Sequence, residues 1–404
     1  MIDDTRLLFA MMKHEFGQNT MSRQPNISEE SFDSWIRGFA ERSGSSGIDK
    51  SVFHSSLDRV APNPSVVSAD RNQPETVVAA GDYLRRAMPP DRIARGAEFG
   101  TVLGEELSGI ERKYGVERWI ILAIWGVESD FGTNTGDYPV VEALATLACD
   151  GRRRDLAERE LLDALRILEN REVRKDEMLG SWAGAMGHTQ FMPSSFLAFA
   201  VDHDGDGRRD IWNPSNPLDA LASTANYLAQ SGWKQGSPWG IEVGLPDDFD
   251  FRLADLRITK PASAWREQGI TAADPAVGAR LRGQCKAAVF LPAGATGPAF
   301  LVSRNFTVLR KYNASGIYAL AVGLFGDRIA GEGAIRAEWP ADVRPLSMKD
   351  VTTLQEKLRD LGFDPGKIDG LAGPDTHAAV RSFQEKAGLA PDGHVSNVIF
   401  EHLG

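Results

Sequence analysis

Cysteine is nearly missing from this chain: two occur in 404 residues, Cys149 and Cys285, far apart in sequence. They allow one disulfide at most, nothing in the pattern requires it, and such low usage does not fix a redox compartment. Long hydrophobic runs are missing as well. No stretch of about 18 consecutive apolar residues occurs, so no segment reads as a membrane span. The apolar stretch from Leu7 to Met12 is too short for the core of an export signal, and Asp3 and Asp4 precede it where positive charge would be expected. The expectation is that the sequence as given carries no such signal. Positive charge is also in short supply: the formal balance of -11 argues against nucleic acid, whose phosphates demand a basic footprint. The run Arg152-Arg153-Arg154 reads as a solvated loop or helix start, largely neutralised by its neighbours Asp150 and Asp155.

What is present is ordinary globular material. A hydrophobic content of 42% over this length supplies at least one large core, and the length suggests two or three domains. From Ser31 to about Ser231 apolar residues recur at three- and four-residue spacing, as in Leu156, Leu161, Leu165 and Leu168, which predicts a helical domain. Between about Pro238 and Arg304 short apolar runs, Ala287 to Pro292 and Ala299 to Val302, alternate with proline, glycine and aspartate, which predicts a small β-rich insert. Helical character returns from Tyr312 to Ile329, with Tyr318, Leu320, Ala321, Leu324 and Phe325 able to face a core. Two prolines and polar residues around 338–345 place a linker there. A unit of roughly 60 residues follows, small but common in size for an appended module. In it Leu354, Leu358 and Leu361, with Val380 and Phe383, are expected to share one core. The expected fold class is mainly α (α+β).

The stretch WIILAIWGVESDFG, residues 119–132, ends a continuous apolar run from Trp119 to Val127 on Glu128. A helix apolar on most sides is buried, so a carboxyl group at its end loses hydration and its charged form is disfavoured. A carboxyl that stays protonated near neutral pH can donate a proton to a leaving-group oxygen, the general-acid task in glycosidic bond cleavage. The competing reading is a helix-end glutamate bonded to nearby backbone, and the stretch alone carries both. A second stretch, SWAGAMGHTQFMPSSF at 181–196, sets Met186, Gln190, Phe191 and Met192 among Ala183, Gly184, Ala185 and Gly187. Small residues let backbone approach another surface, or simply pack tightly, and Gln190 offers the amide donor and acceptor a sugar ring uses. Methionine and aromatic side chains supply apolar faces for pyranose rings.

Together GVES, GAMGHTQFMPSS, DGDGRRDIWNP, LASTANYL and RKYNASGIYALAVGLF, in that order, resemble the soluble form of the lytic murein transglycosylase B family over most of residues 31–330. The resemblance implies a lysozyme-like helical catalytic core within residues 1–340, the β-rich insert at about 238–304 included. It implies cleavage of the β-1,4 bond between N-acetylmuramic acid and N-acetylglucosamine in peptidoglycan glycan strands, with Glu128 as the single catalytic residue and no cofactor in the chemistry. By motif, Ser181, Met186, Gln190, Tyr227, Tyr312, Asn313 and Tyr318 match positions lining the family's sugar groove. For Tyr312 and Tyr318 the competing reading is core packing beside a helix start, less so for Tyr312 because Arg310, Lys311, Asn313 and Ser315 surround it with polarity. In the implied mechanism Glu128 protonates the glycosidic oxygen, then takes the proton of the muramyl 6-hydroxyl as that oxygen attacks internally, leaving a 1,6-anhydromuramyl end. Ordinary glycosidases use a carboxylate pair. Asp130, two positions on, would point to another side of a helix, whereas a more distant partner such as Asp137 keeps water-using hydrolysis open. A noncatalytic wall-binding scaffold is the reading from a different class.

In DHDGDGRRD, Asp202, Asp204, Asp206, Arg208 and Asp210 fall at positions 1, 3, 5, 7 and 9 of an EF-hand calcium loop, with Gly207 at position 6. The last position departs from the pattern, since residue 213 is Asn rather than Glu. The resemblance implies that the closing carboxylate comes later in a longer loop, with Asp219 in that role. The expectation is a structural calcium, against the alternative of a polar turn held by Asx hydrogen bonds. Finally LQEKLRDLGF, IDG, GPDT, AVRSFQ, GL and DG resemble the peptidoglycan-binding domain of wall-lytic enzymes, over residues 347–404. Such a three-helix module would hold the wall and raise the effective concentration of substrate. A cap packed on the main domain is the alternative. The substrate places the expected site of action in the periplasm.

Overall fold

The computed structural model describes residues 27–72, 78–281, 283–333 and 335–403. The stretch Leu7–Met12 lies outside them. The chain forms two compact units. One comprises the described residues up to 72 with Pro90–Trp233 and Lys311–Ser315; the other comprises 78–89, Lys234–Arg310 and the described residues from Gly316 onward.

The first unit is helical, as the spacing predicts. On the Arg154–Glu169 helix Leu156, Ala157, Leu161, Ala164, Leu165 and Ile167 are buried on one stripe, and it packs on the Val140–Asp150 helix. The Arg118–Ser129 helix is buried at every residue from Ile120 to Ser129. Helices Pro90–Val102, Gly104–Tyr114 and Leu218–Gln230 pack around it. Each of its fully buried side chains, Ile121, Leu122 and Ile124 among them, contributes roughly 1.5–3 kcal/mol relative to exposure.

The arginine run is the turn and helix start expected of it, with Arg152 and Arg154 exposed, but Arg153 departs from a solvated face. Arg152 donates to Asp70 at 2.7 Å, and the Arg153 side chain is only 8% exposed beside the same carboxylate. Burial pushes the Arg153 guanidinium down to about 10, with the charge of Asp70 opposing the shift. The neutralising partner is Asp70, 1% exposed, rather than Asp150 or Asp155.

The second unit contains the β-rich insert. Its antiparallel sheet runs in the spatial order Lys260–Pro261, Lys286–Phe290, Ala299–Ser303, Gly240–Gly244, Thr271–Ala272. Ile241, Val243, Val289 and Leu301 bury one face with Trp265, whose indole N–H donates to the Ala287 carbonyl at 2.8 Å. The Gly316–Ile329 helix buries Tyr318, Leu320, Ala321, Leu324 and Phe325. A Cβ at Gly323 would lie 2.4 Å from the Trp239 ring, so glycine lets the two pack, and the Trp239 indole donates to Asp327 at 3.0 Å. Both cysteines are free thiols.

Helices Met348–Asp360, Pro374–Lys386 and Asn397–His402 enclose Leu354, Leu358, Val380 and Ile399, with Phe383 partly buried against them. Leu361 is not part of that core. It is 50% exposed, because the helix ends at Asp360 and Gly362 turns the chain at φ 86°. Buried Gln355 organises the following loop: its amide donates to the Leu371 carbonyl at 3.0 Å and its oxygen accepts from Gly370 at 3.0 Å. The segment expected to be a linker has no helix or strand, yet it is tied down. Arg336 and Ala337 donate backbone N–H groups to Glu242, and Asn397 holds both Asp342 and Arg344. The three-helix module also touches the insert, through Arg381 with Asp255 at 3.7 Å, Arg252 with Glu385 at 3.2 Å, and the Ala295 N–H to Asp392 at 2.7 Å.

Candidate active site

Glu128 sits in the last turn of the Arg118–Ser129 helix, 6% exposed, with Oε2 withdrawn from solvent. The helix stops abruptly. Asp130 and Phe131 both adopt left-handed backbone, φ 52° and 59°, which costs an ordinary residue roughly 1–2 kcal/mol each. Side chains offset that cost. Asp130 accepts from Arg92 at 2.7 Å and from Arg95 at 2.5 Å, and the Phe131 ring lies against Phe99 and edge-on to Trp125. Burial would raise the Asp130 carboxyl, but the hydrogen bonds from Arg95 and Arg92 overcome it and hold the group below the usual carboxylate range. Asp130 is therefore committed to an ion pair, and Asp137 is exposed.

The glycine-rich stretch folds into a small wall. Tyr138–Pro139 pairs antiparallel with Leu179–Gly180, and bridges continue from Gly180 to Met186 and from Met186 to Phe191. Gly187 has φ 66°, and a Cβ there would stand 2.3 Å from the Ile211 carbonyl oxygen, so no other residue fits without moving backbone. Gln190, 4% exposed, has φ 54° and donates its amide to the carbonyls of Thr135 and Gly187, each at 2.9 Å. Ser181 is partly exposed and its Oγ accepts from the Ala185 N–H.

Tyrosines complete the surroundings. The Tyr312 hydroxyl donates to the Thr189 carbonyl at 2.6 Å, and its ring meets Tyr227 edge-on at 4.9 Å. Burial first, and the negative charge of Glu128 next, push the Tyr312 hydroxyl well above its ordinary value. Tyr312 thus shares the electrostatic environment of the glutamate. Tyr227 donates to the Lys311 carbonyl at 2.6 Å. Met186, Tyr227 and Asn313 are buried in the same unit, whereas Tyr318 is 1% exposed within the other.

Two further features of this region carry little mark in the sequence. Arg92 and Arg95 lie 38 and 35 residues from their carboxylate, with no local pattern to mark them. His188 lies within the 181–196 stretch, where no spacing gives it a role. It is 3% exposed, and a lone histidine inside a run of glycine and alanine was the available signal.

The aspartate loop also takes shape. Carboxylate oxygens of Asp202, Asp204 and Asp206 lie within 4.8 Å of one another. Backbone N–H groups of Gly205 and Gly207 bind Asp202, and that of Arg208 binds Asp206. Asp219 is outside that trio: its two oxygens accept from the backbone of His203 and Asp210, and burial raises its carboxyl.

A mainly helical fold of this kind, with a small sheet and a three-helix terminal module, is that of the lytic transglycosylases, which are enzymes. The chain belongs to the transglycosylase SLT domain family, whose profile matches residues 31–327. A second profile, the putative peptidoglycan binding domain, matches residues 347–403. The structure is similar to SltB3 from Pseudomonas aeruginosa solved with NAG-NAM-pentapeptide: 42% identity, TM-score 0.87, covering 93% of this chain and all (100%) of that one. It is also similar to Escherichia coli Slt35 solved with calcium, at 28% identity and TM-score 0.62, over 75% of this chain and 93% of that one. The membrane-bound lytic murein transglycosylase B of Escherichia coli is 32% identical over 255 residues, 61% of this chain and 66% of that protein's length. No helix among the described residues is long and apolar enough to cross a membrane.

Proposed function

We propose that this protein cleaves the β-1,4 bond between N-acetylmuramic acid and N-acetylglucosamine in peptidoglycan without consuming water, leaving 1,6-anhydromuramyl ends. The observation that carries the reading is the burial of Glu128 at 6% exposure while its sequence neighbour Asp130 is neutralised by two arginines. Withdrawn from water, a carboxyl group resists ionisation and can act as an acid. Glu128 protonates the glycosidic oxygen as that bond breaks. The resulting carboxylate takes the proton of the muramyl 6-hydroxyl, whose oxygen forms the new bond to the muramyl carbon. Each proton lent is returned, so no second carboxylate is required, in contrast to the pair used by hydrolytic glycosidases.

Ser181, Gln190 and Tyr312 are assigned to contact glycan, and Met186, Tyr227, Asn313 and Tyr318 are assigned to sugar binding by their match to the family's motifs. The catalytic part extends to about residue 340, and the module at 347–404 binds the wall, which places the site of action in the periplasm. Glu128→Gln should lower release of anhydromuropeptides from purified sacculi by at least about 100-fold, the usual scale for losing a proton-transfer group, with wall binding retained. Near-normal turnover by that variant refutes the role of Glu128. Products one water heavier, with a reducing end, would make the enzyme a hydrolase.

The aspartate trio fits a hard cation, since three carboxylates converge within 4.8 Å on a loop whose N–H groups hold them in place. Asp202, Asp204 and Asp206, the Arg208 carbonyl and Asp219 would hold calcium, which supplies loop rigidity and no catalytic step. Calcium should raise the melting temperature and a chelator should reverse the gain. An unchanged melting temperature would remove calcium from the account.

A further inference from the structure

The imidazole of His188 is buried at the junction of three segments of the first unit, and its proton is placed by its neighbours. The Trp125 indole N–H, a donor only, reaches Nδ1 at 3.0 Å, while Nε2 lies 2.8 Å from the Asn213 carbonyl, an acceptor only. Nδ1 must therefore accept and Nε2 must donate, which defines one neutral tautomer. Burial, the largest influence on the ring, holds its pKa below the ordinary histidine value and agrees with that form. The backbone of the same residue is equally engaged: its N–H donates to Ile211 at 2.9 Å, and its carbonyl accepts from the Ser129 hydroxyl at 2.5 Å. That hydroxyl in turn accepts from the Gly132 N–H at 2.9 Å. A Cβ at Gly132 would lie 2.4 Å from the imidazole, so the turn after Glu128 closes directly on this ring.

Trp125 and Ser129 flank Glu128 in the last turn of the helix. We infer that His188 is the positioning residue for Glu128: it pins that last turn to the 211–213 segment, so that the carboxyl keeps one place against the sugar. The inference rests on the catalytic reading of Glu128. His188→Phe, similar in size and without polar atoms, should lower kcat by about 100-fold, the scale of a displacement of about 1 Å at a reacting group, with KM for a soluble glycan within about twofold. His188→Gln, which keeps a donor and an acceptor, should recover part of the loss. Unchanged kcat in His188→Phe below its melting temperature, or equal losses in both variants, would overturn the inference. If His188→Phe does not fold, nitrogen-15 spectra of the wild-type imidazole decide: protonated Nε2 with bare Nδ1 is expected, and the opposite tautomer refutes the pin. These spectra do not depend on turnover, so failure of the Glu128 reading, seen as an active Glu128→Gln, is distinguishable from failure of the pin.

Discussion

Asp327 offers a test of how burial and hydrogen bonding divide the control of a carboxyl group. It accepts from the Trp239 indole at 3.0 Å and lies 3.6 Å from Arg280, which is itself paired with Glu332. Burial raises its pKa from 3.8 to about 6, against the opposing pulls of the indole and of Arg280. The folded protein thus holds this proton more tightly than the unfolded chain does. The resulting stabilisation is complete below the unfolded value of 3.8 and is lost as pH rises through about 6. A shift of about two units at about 1.36 kcal/mol each amounts to about 3 kcal/mol. Asp327→Asn keeps the acceptor that Trp239 uses and never ionises. It should match wild type near pH 4 and exceed it by up to about 3 kcal/mol near pH 8, less what the lost attraction to Arg280 returns. Urea unfolding of both proteins across that range, followed by circular dichroism and tryptophan fluorescence, measures the difference. A difference that stays constant with pH, or one that grows toward acid, refutes the reasoning.

Two further substitutions test the packing. Gly187→Ala forces a Cβ to within 2.3 Å of a backbone oxygen at φ 66°, and should cost roughly 2–4 kcal/mol from strain and overpacking, read as a fall in melting temperature. Asp70→Ala leaves the largely buried Arg153 guanidinium without its carboxylate; the expected loss is about 3–5 kcal/mol in chemical denaturation, and a change below about 1 kcal/mol would show that the cluster is solvated.

The helical domain, the β-rich insert and the three-helix module were legible because apolar spacing and glycine and proline punctuation are local signals. Glu128 stood out for the same reason: a contiguous apolar run makes the first acid after it conspicuous. What stayed hidden is what the chain assembles from far apart. Asp70 lies 82 residues from Arg152, so nothing local marks the carboxylate that Arg152 shares with the buried Arg153. Leu361 continues a three- to four-residue spacing that the backbone itself abandons at Gly362, and periodicity has no means of seeing a left-handed turn. The left-handed pair Asp130 and Phe131 is equally silent in sequence, because neither residue is the glycine that usually announces such a conformation.

The anchorage of the terminal module changes what its connecting segment does mechanically. A slack tether lets its cargo sweep a volume set by contour length, but this one is fastened at Glu242 and Asn397, and its cargo is bolted to loops of the insert at Asp255 and Ala295. Extra glycine and serine inserted near residue 340 should therefore leave the module's orbit on the insert almost unaltered. A wall strand gripped by the module would be presented as if by a fixed arm, and tension on that strand would be transmitted to the insert's loops.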